Sequence, residues 1–133
     1  MGSAQHFGIV GNGCQSIFMQ GPSGLSEVRQ FATQDAVLDC CWSECNGNQL
    51  LSACGDGSLK LWDVSLTVNR PFIAFKEHTK EVQGVSWNLV SKDSFLSASW
   101  DSSVKLWSPA SPMSISTWML PGQVPLVVTI AIK

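Results

Sequence analysis

The feature that most constrains the fold of this chain is an internal repeat. The run Leu51-Ser52-Ala53-Cys54-Gly55-Asp56-Gly57-Ser58-Leu59-Lys60-Leu61-Trp62-Asp63 returns as Leu96-Ser97-Ala98-Ser99-Trp100-Asp101-Ser102-Ser103-Val104-Lys105-Leu106-Trp107-Ser108, displaced by 45 positions. Trp42 and Trp87 keep the same displacement. A fixed period of this size means one supersecondary unit copied along the chain, each copy burying its apolar face against the next. Within each copy, short alternating or wholly apolar runs are separated by turn residues, which predicts strands. In the second copy these are Glu81 to Trp87, Ser94 to Ser99, Val104 to Trp107 and Ser114 to Trp118, with Asp101-Ser102-Ser103 as a turn. In the first they are Val37 to Trp42, Gln49 to Cys54, Leu59 to Trp62 and Phe72 to Phe75, and Asp56-Gly57 is a hairpin signal.

The period and the Trp62-Asp63 ending resemble the WD repeat, whose copies are the four-stranded blades of a β-propeller. Upstream, Gly11-Asn12-Gly13 aligns with Gly55-Asp56-Gly57 and Phe18 with Trp62, so residues 7–31 read as three strands of a degenerate blade lacking its innermost strand. The expected fold is therefore all-β: a WD-repeat β-propeller fragment of about two complete four-stranded blades plus a partial one. Its partial propeller spans 4–118, with the degenerate blade at 7–31, blades at 33–75 and 78–118, and a divergent C-terminal tail at 119–133. Propellers close with about 4 to 8 blades. The expectation is a chain short of a closed ring, either a truncated product or gene model or a genuine short isoform.

Composition narrows the function classes. A net charge of -2 argues against a surface built to neutralise phosphates, so nucleic acid is not an expected partner. Cys14, Cys40, Cys41, Cys45 and Cys54 are odd in number and irregularly spaced, which predicts free thiols in a reducing compartment and neither a disulfide framework nor a zinc site. His6 stands where an N-myristoylation signal wants Ser or Thr. The apolar run Val124 to Ile132 is far below the roughly 20 residues of a membrane-spanning helix; it reads as a strand and not as a span.

His78, Asp101 and Trp107, with Ser97 or Ser99, resemble the hydrogen-bonded tetrad of WD-repeat blades. Ser97 and Ser99 share one face of a strand, so either can supply the hydroxyl. Such a network satisfies buried polar groups and pins strands in register. The same residue types would suit a hydrolase triad, but no Gly-x-Ser-x-Gly turn accompanies them, and no catalytic residue is expected. In the first copy Thr33 occupies the place of His78 and Cys54 that of Ser99, so a weaker or water-filled network is expected there. Gly55-Asp56-Gly57-Ser58 lacks the lysine of a phosphate loop and leads into a strand, which makes it a hairpin turn.

Beyond the generic signature, Ala4-Gln5-His6-Phe7-Gly8-Ile9, Val37-Leu38-Asp39 before Trp42-Ser43-Glu44, Phe75-Lys76-Glu77-His78, Glu81-Val82 and Ser99-Trp100-Asp101 resemble the receptors for the type-2 peroxisomal targeting signal. Glu77-His78, where most WD repeats have Gly-His, is the most specific of these. The resemblance implies a non-enzymatic protein without cofactor that binds the targeting signal of matrix proteins. It also implies work with an import co-receptor and peroxisomal docking proteins, and cycling between cytoplasm and peroxisome. The implied peptide face is the one where inner strands begin, and Asp35, Glu81 and Trp100 are its candidate ligands, two carboxylates and an aromatic surface suited to an amphipathic helix bearing Arg. The alternative is a generic interaction scaffold, such as an adaptor of a ubiquitin ligase or a chromatin complex.

Overall fold

A computed structural model describes residues 2–4 and 12–122 of the chain. Every regular element among them is a strand: β1 (Gly2–Ala4), β2 (Gly13–Gly21), β3 (Gly24–Thr33), β4 (Val37–Trp42), β5 (Gln49–Cys54), β6 (Leu59–Asp63), β7 (Ile73–Phe75), β8 (Val82–Trp87), β9 (Phe95–Ser99), β10 (Ser103–Trp107) and β11 (Ser114–Met119). They form a three-stranded sheet β1-β2-β3 and two four-stranded sheets, β4-β5-β6-β7 and β8-β9-β10-β11. All pairings are antiparallel and follow chain order. The strand expected to start at Phe7 falls on residues outside the described ones, as does the tail beyond Gly122; the strand that pairs with β2 is Gly2–Ala4.

The two full sheets repeat each other in detail. Each inner strand has a bulge at the same place, between Val37 and Asp39 in β4 and between Val82 and Gly84 in β8. Alternation along β5 and β6 puts Leu51, Ala53, Leu59 and Leu61 on one face, and all four are fully buried. That face packs against Val82, Val85, Trp87, Phe95 and Trp107 of the following sheet, forming the main core. Phe75 joins it edge-on to Trp107, with ring centroids 5.3 Å apart. Trp62 points the other way and stacks on Phe31 of the preceding sheet at 4.7 Å. The first full sheet therefore presents a Trp face to the sheet before it and a Leu face to the sheet after it, the stacking that a propeller requires.

A hydrogen bond and a close backbone approach join the two full sheets. Asp39 on β4 accepts the Val85 N–H of β8 at 3.0 Å. Gly57, in the β5–β6 turn, has φ +85° and lies so close to the next sheet's entry loop that a Cβ there would sit 2.6 Å from the His78 carbonyl oxygen. Only glycine meets both conditions at that turn.

Candidate functional site

The entry loop into β8 delivers His78 into the second full sheet, where its buried ring joins a chain of hydrogen bonds. Nδ1 lies 2.8 Å from Asp101 Oδ2 and Nε2 lies 2.7 Å from Ser97 Oγ, while the Trp107 indole N–H donates to Ser97 Oγ at 2.8 Å. One proton arrangement satisfies the whole set: Trp107 donates to Ser97, Ser97 donates to Nε2, and Nδ1–H donates to Asp101. Burial holds the His78 pKa below its ordinary value, although Asp101 pulls it upward, so the ring is neutral near pH 7. Burial also raises Asp101, but hydrogen bonds from Ser103, His78 and the Thr79 N–H outweigh it and bring the carboxyl down to about 2.

Of the two serines considered for the hydroxyl, Ser97 is the one between His78 and Trp107. Ser99 instead donates to the carbonyls of Lys80 (3.0 Å) and Glu81 (2.8 Å), fixing the entry loop. Ser103 is a member the sequence reading missed. Its hydroxyl donates to Asp101 Oδ1, its N–H donates to the same oxygen at 2.9 Å, and its Oγ lies 3.1 Å from His78 Nδ1. Ser58 does the same for Asp56 in the first full sheet, with the N–H contact at 2.9 Å. The shared Asp-x-Ser spacing was the available signal.

Asp101, His78 and Ser97 are ordered as in an acid, base and nucleophile triad. Ser97 is nevertheless fully buried, and its oxygen already accepts the Trp107 N–H, so no substrate carbonyl can reach it along an attack path. Among the described residues no group of His, Cys, Asp and Glu is arranged to hold a metal ion. Burial pushes the Cys41 thiol up to about 12, which keeps it protonated and inert. No helix of the described residues is long and apolar enough to cross a membrane.

The first full sheet corrects an expectation. Thr33 does replace the histidine, yet the network that was expected to be weaker or water-filled is continued by protein groups. The Trp62 indole N–H donates to Ser52 Oγ at 3.0 Å, and the Ser52 hydroxyl donates to Oε1 of Gln15 at 3.0 Å. Gln15 comes from β2 of the preceding sheet and is fully buried. It supplies the acceptor that His78 Nε2 supplies in the next blade. Thr33 Oγ1 binds the Asp35 carbonyl at 2.7 Å, a task like that of Ser99 on its own entry loop.

Glu77 has a structural partner set of its own. Its carboxylate accepts the Ser114 N–H at 2.6 Å, the Ser114 hydroxyl at 2.8 Å and the Lys105 ammonium at 3.4 Å, tying the outer strand to the loop that carries His78. Arg29 on β3 similarly donates to the carbonyls of Val64 (3.0 Å) and Leu66 (2.7 Å) in the β6–β7 loop. Neither clamp was foreseen from the sequence.

The three residues singled out as peptide ligands lie at one end of the two full sheets, where β4 and β8 begin. Asp35 is half-buried; its Oδ1 accepts the Ala36 N–H at 2.7 Å, and its carboxylate lies against Gly55, where a Cβ would be 3.2 Å from Oδ1. Glu81 is exposed, and its carbonyl accepts the Trp100 N–H at 3.1 Å. Trp100, half-buried, is the repeat equivalent of Gly55. This end therefore carries the carboxylates of Asp35 and Glu81 and the Trp100 indole, and where the second sheet has Trp100 the first has Gly55 with the Asp35 carboxylate close against it.

The family model of the WD domain, G-beta repeat, matches residues 25–63 and 69–108. Among curated proteins, the peroxisomal targeting signal 2 receptor of Dictyostelium discoideum is 47% identical over 94 residues, 70% of this chain and 30% of that protein. The receptor of the same name from Saccharomyces cerevisiae is 44% identical over 116 residues, 86% of this chain and 31% of its own length. That from Homo sapiens is 41% identical over 86 residues, 65% of this chain and 26% of its own length. The chain thus spans about a third or less of the relatives it matches. A chain in the crystal structure of a mitotic checkpoint complex superposes with a TM-score of 0.69 at 21% identity, covering 82% of this chain and 33% of that one, a likeness of fold.

Proposed function

Because this chain belongs to the WD40 family of G-beta repeats, its blades are interaction surfaces before anything else, and we propose that it contributes to binding the type-2 peroxisomal targeting signal of proteins bound for the peroxisome. The observation that carries the reading is the identity of 41 to 47% to receptors named for that signal. On this reading the chain is a binding protein and not an enzyme. It works beside an import co-receptor and docking proteins, and it moves between cytoplasm and peroxisome.

Asp35, Glu81 and Trp100 are the proposed contact residues. An arginine on an amphipathic helix would gain a charge-assisted hydrogen bond from a carboxylate at this end, and the Trp100 ring offers a face to an apolar or cationic side chain. The test is fluorescence anisotropy of a labelled synthetic peptide carrying the type-2 signal, titrated with the chain and with Asp35→Ala, Glu81→Ala and Trp100→Ala variants. Each variant is expected to weaken binding by about 5- to 10-fold, near 1 to 1.4 kcal/mol. Equal binding of the signal and of a scrambled peptide with the same composition would overturn the reading.

A further inference from the structure

The dipeptide Asn-Gly occurs twice in the chain, at Asn12-Gly13 and at Asn46-Gly47. An asparagine in this context is prone to lose its side-chain amide, because a glycine nitrogen with no neighbouring Cβ can reach the carboxamide carbon. As sequence the two pairs are alike, and the structure separates them. Gly13 is buried at the start of β2, paired on one side with Ala4 of β1 and on the other with Thr33 of β3, so its nitrogen is held within a sheet. Asn46 and Gly47 are exposed in the turn between β4 and β5. A Cβ at Gly47 would meet nothing within 4 Å, and among the described residues the Gly47 N–H donates no hydrogen bond.

The contacts of Asn46 prepare it for attack by that free nitrogen. Its N–H donates to Ser43 Oγ at 3.2 Å and its carbonyl accepts the Gln49 N–H at 3.0 Å, which fixes the backbone that carries the side chain. Its Oδ1 accepts the Asn48 N–H at 3.0 Å, which folds the carboxamide back along the chain toward Gly47. A donor on that oxygen also stabilises the negative charge it takes up when a nucleophile adds to Cγ.

We propose that Asn46 is a site of spontaneous deamidation built into the β4–β5 turn, and that the sheet protects Asn12. The Gly47 nitrogen bonds to Asn46 Cγ, the Cγ–Nδ2 bond breaks, and the Gly47 amide proton leaves with the side-chain nitrogen as ammonia, closing a succinimide ring. Water opens the ring at either carbonyl, giving aspartate or isoaspartate; nothing is oxidised or reduced, and solvent water is the only co-reactant. Either product adds a negative charge two residues from Glu44. Aspartate keeps the acceptor for the Asn48 N–H. Isoaspartate routes the main chain through the former side chain and lengthens by one methylene a turn that the Ser43 N–H and the Gln49 carbonyl close at 2.8 Å. The turn lies where β4 ends, whereas Asp35, Glu81 and Trp100 lie where β4 and β8 begin, so the modification acts on the hairpin and not on that face.

The test incubates the whole 133-residue chain at physiological temperature in neutral buffer made with heavy-oxygen water, beside the same chain in urea. Mass spectrometry follows both Asn-Gly peptides, with electron-transfer fragmentation separating aspartate from isoaspartate. In the folded chain Asn46 is expected to take up heavy oxygen several-fold faster than Asn12, and in urea the two rates should converge. Gly47→Ala, for which the turn has room, should slow conversion of Asn46 several-fold with unchanged far-ultraviolet circular dichroism. Asn12 converting as fast as Asn46 in the folded chain would overturn the proposal. So would the same preference persisting in urea, an unslowed Gly47→Ala variant, or no conversion of folded Asn46 over the time in which the urea sample converts.

Discussion

Removing the Gln15 carboxamide should destabilise a blade to which Gln15 does not belong. Gln15 Oε1 is the acceptor for the buried Ser52 hydroxyl at 3.0 Å, and Ser52 in turn accepts the Trp62 indole N–H at 3.0 Å. Gln15→Leu keeps a side chain of similar size and leaves the Ser52 hydroxyl without that acceptor, at a cost of about 1 to 3 kcal/mol. Ser52→Ala is expected to cost at least as much, because it leaves the buried Trp62 N–H without its acceptor and takes from Gln15 Oε1 the hydroxyl donor. In the double variant only the indole is left wanting, so the two effects should sum to more than the double variant costs, by about 0.5 to 1.5 kcal/mol. The assay is urea unfolding of the four proteins followed by tryptophan emission and, independently, by circular dichroism. Coincident transitions license the free energies. A Gln15→Leu variant within about 0.3 kcal/mol of the parent, or strict additivity with Ser52→Ala, would refute the claim that Gln15 substitutes for the missing histidine.

The histidine network makes a pH prediction whose sign is fixed. His78 has a folded pKa below 6.5, so as pH falls the unfolded chain binds that proton first, and stability declines from about pH 6.5 downward. Asp101, at about 2 when folded against 3.8, holds its contribution above pH 3.8 and loses it between there and 2. Urea midpoints at pH 7, 5 and 4 should fall in that order, with a smaller fall from 7 to 5 in His78→Gln; a midpoint that rises on acidification would sink the argument. Gly57→Ala adds a Cβ against the His78 carbonyl at a positive φ and should cost at least about 1 to 3 kcal/mol, read as a lowered melting temperature; a neutral result would mean that the turn and the loop are free to separate. Iodoacetamide at neutral pH should label exposed Cys45 well before Cys41, whose thiol is held near 12, and mass spectrometry showing the reverse order would contradict the burial assigned to β4.

Strand placement and sheet membership in the two full sheets followed from the 45-residue displacement, because the alternation that buries Leu51 and Leu61 is visible in the residues themselves. His78, Asp101 and Trp107 were legible for the same reason: a repeat with a known polar set shows which positions to compare. Ser97 and Ser99 were not separable, since period-2 geometry puts both on one face, and what divides them is distance to an indole on the next strand. Gln15 was hidden for a different reason. It belongs to the degenerate sheet, 37 residues before the serine it serves, and no local pattern links a glutamine in one sheet to a serine in the next. The clamps made by Glu77 and Arg29 escaped likewise, because long flexible side chains find their partners only once loops from distant positions are folded together.

The contact of Gly57 with the carbonyl of His78 bears on how repeats of this kind can be exchanged. A hairpin tip in one sheet is the backstop for the loop that carries the next sheet's histidine, so a graft cut at the sheet boundary separates two surfaces shaped to each other. Moving the second sheet into a foreign array would carry His78 but leave Gly57 behind, and any side chain at the recipient's corresponding turn would press on the loop. A graft that keeps these two surfaces together starts at the β5–β6 turn of one blade and ends after β11 of the next, and chimeras cut on that frame should keep their register where chimeras cut between blades lose it.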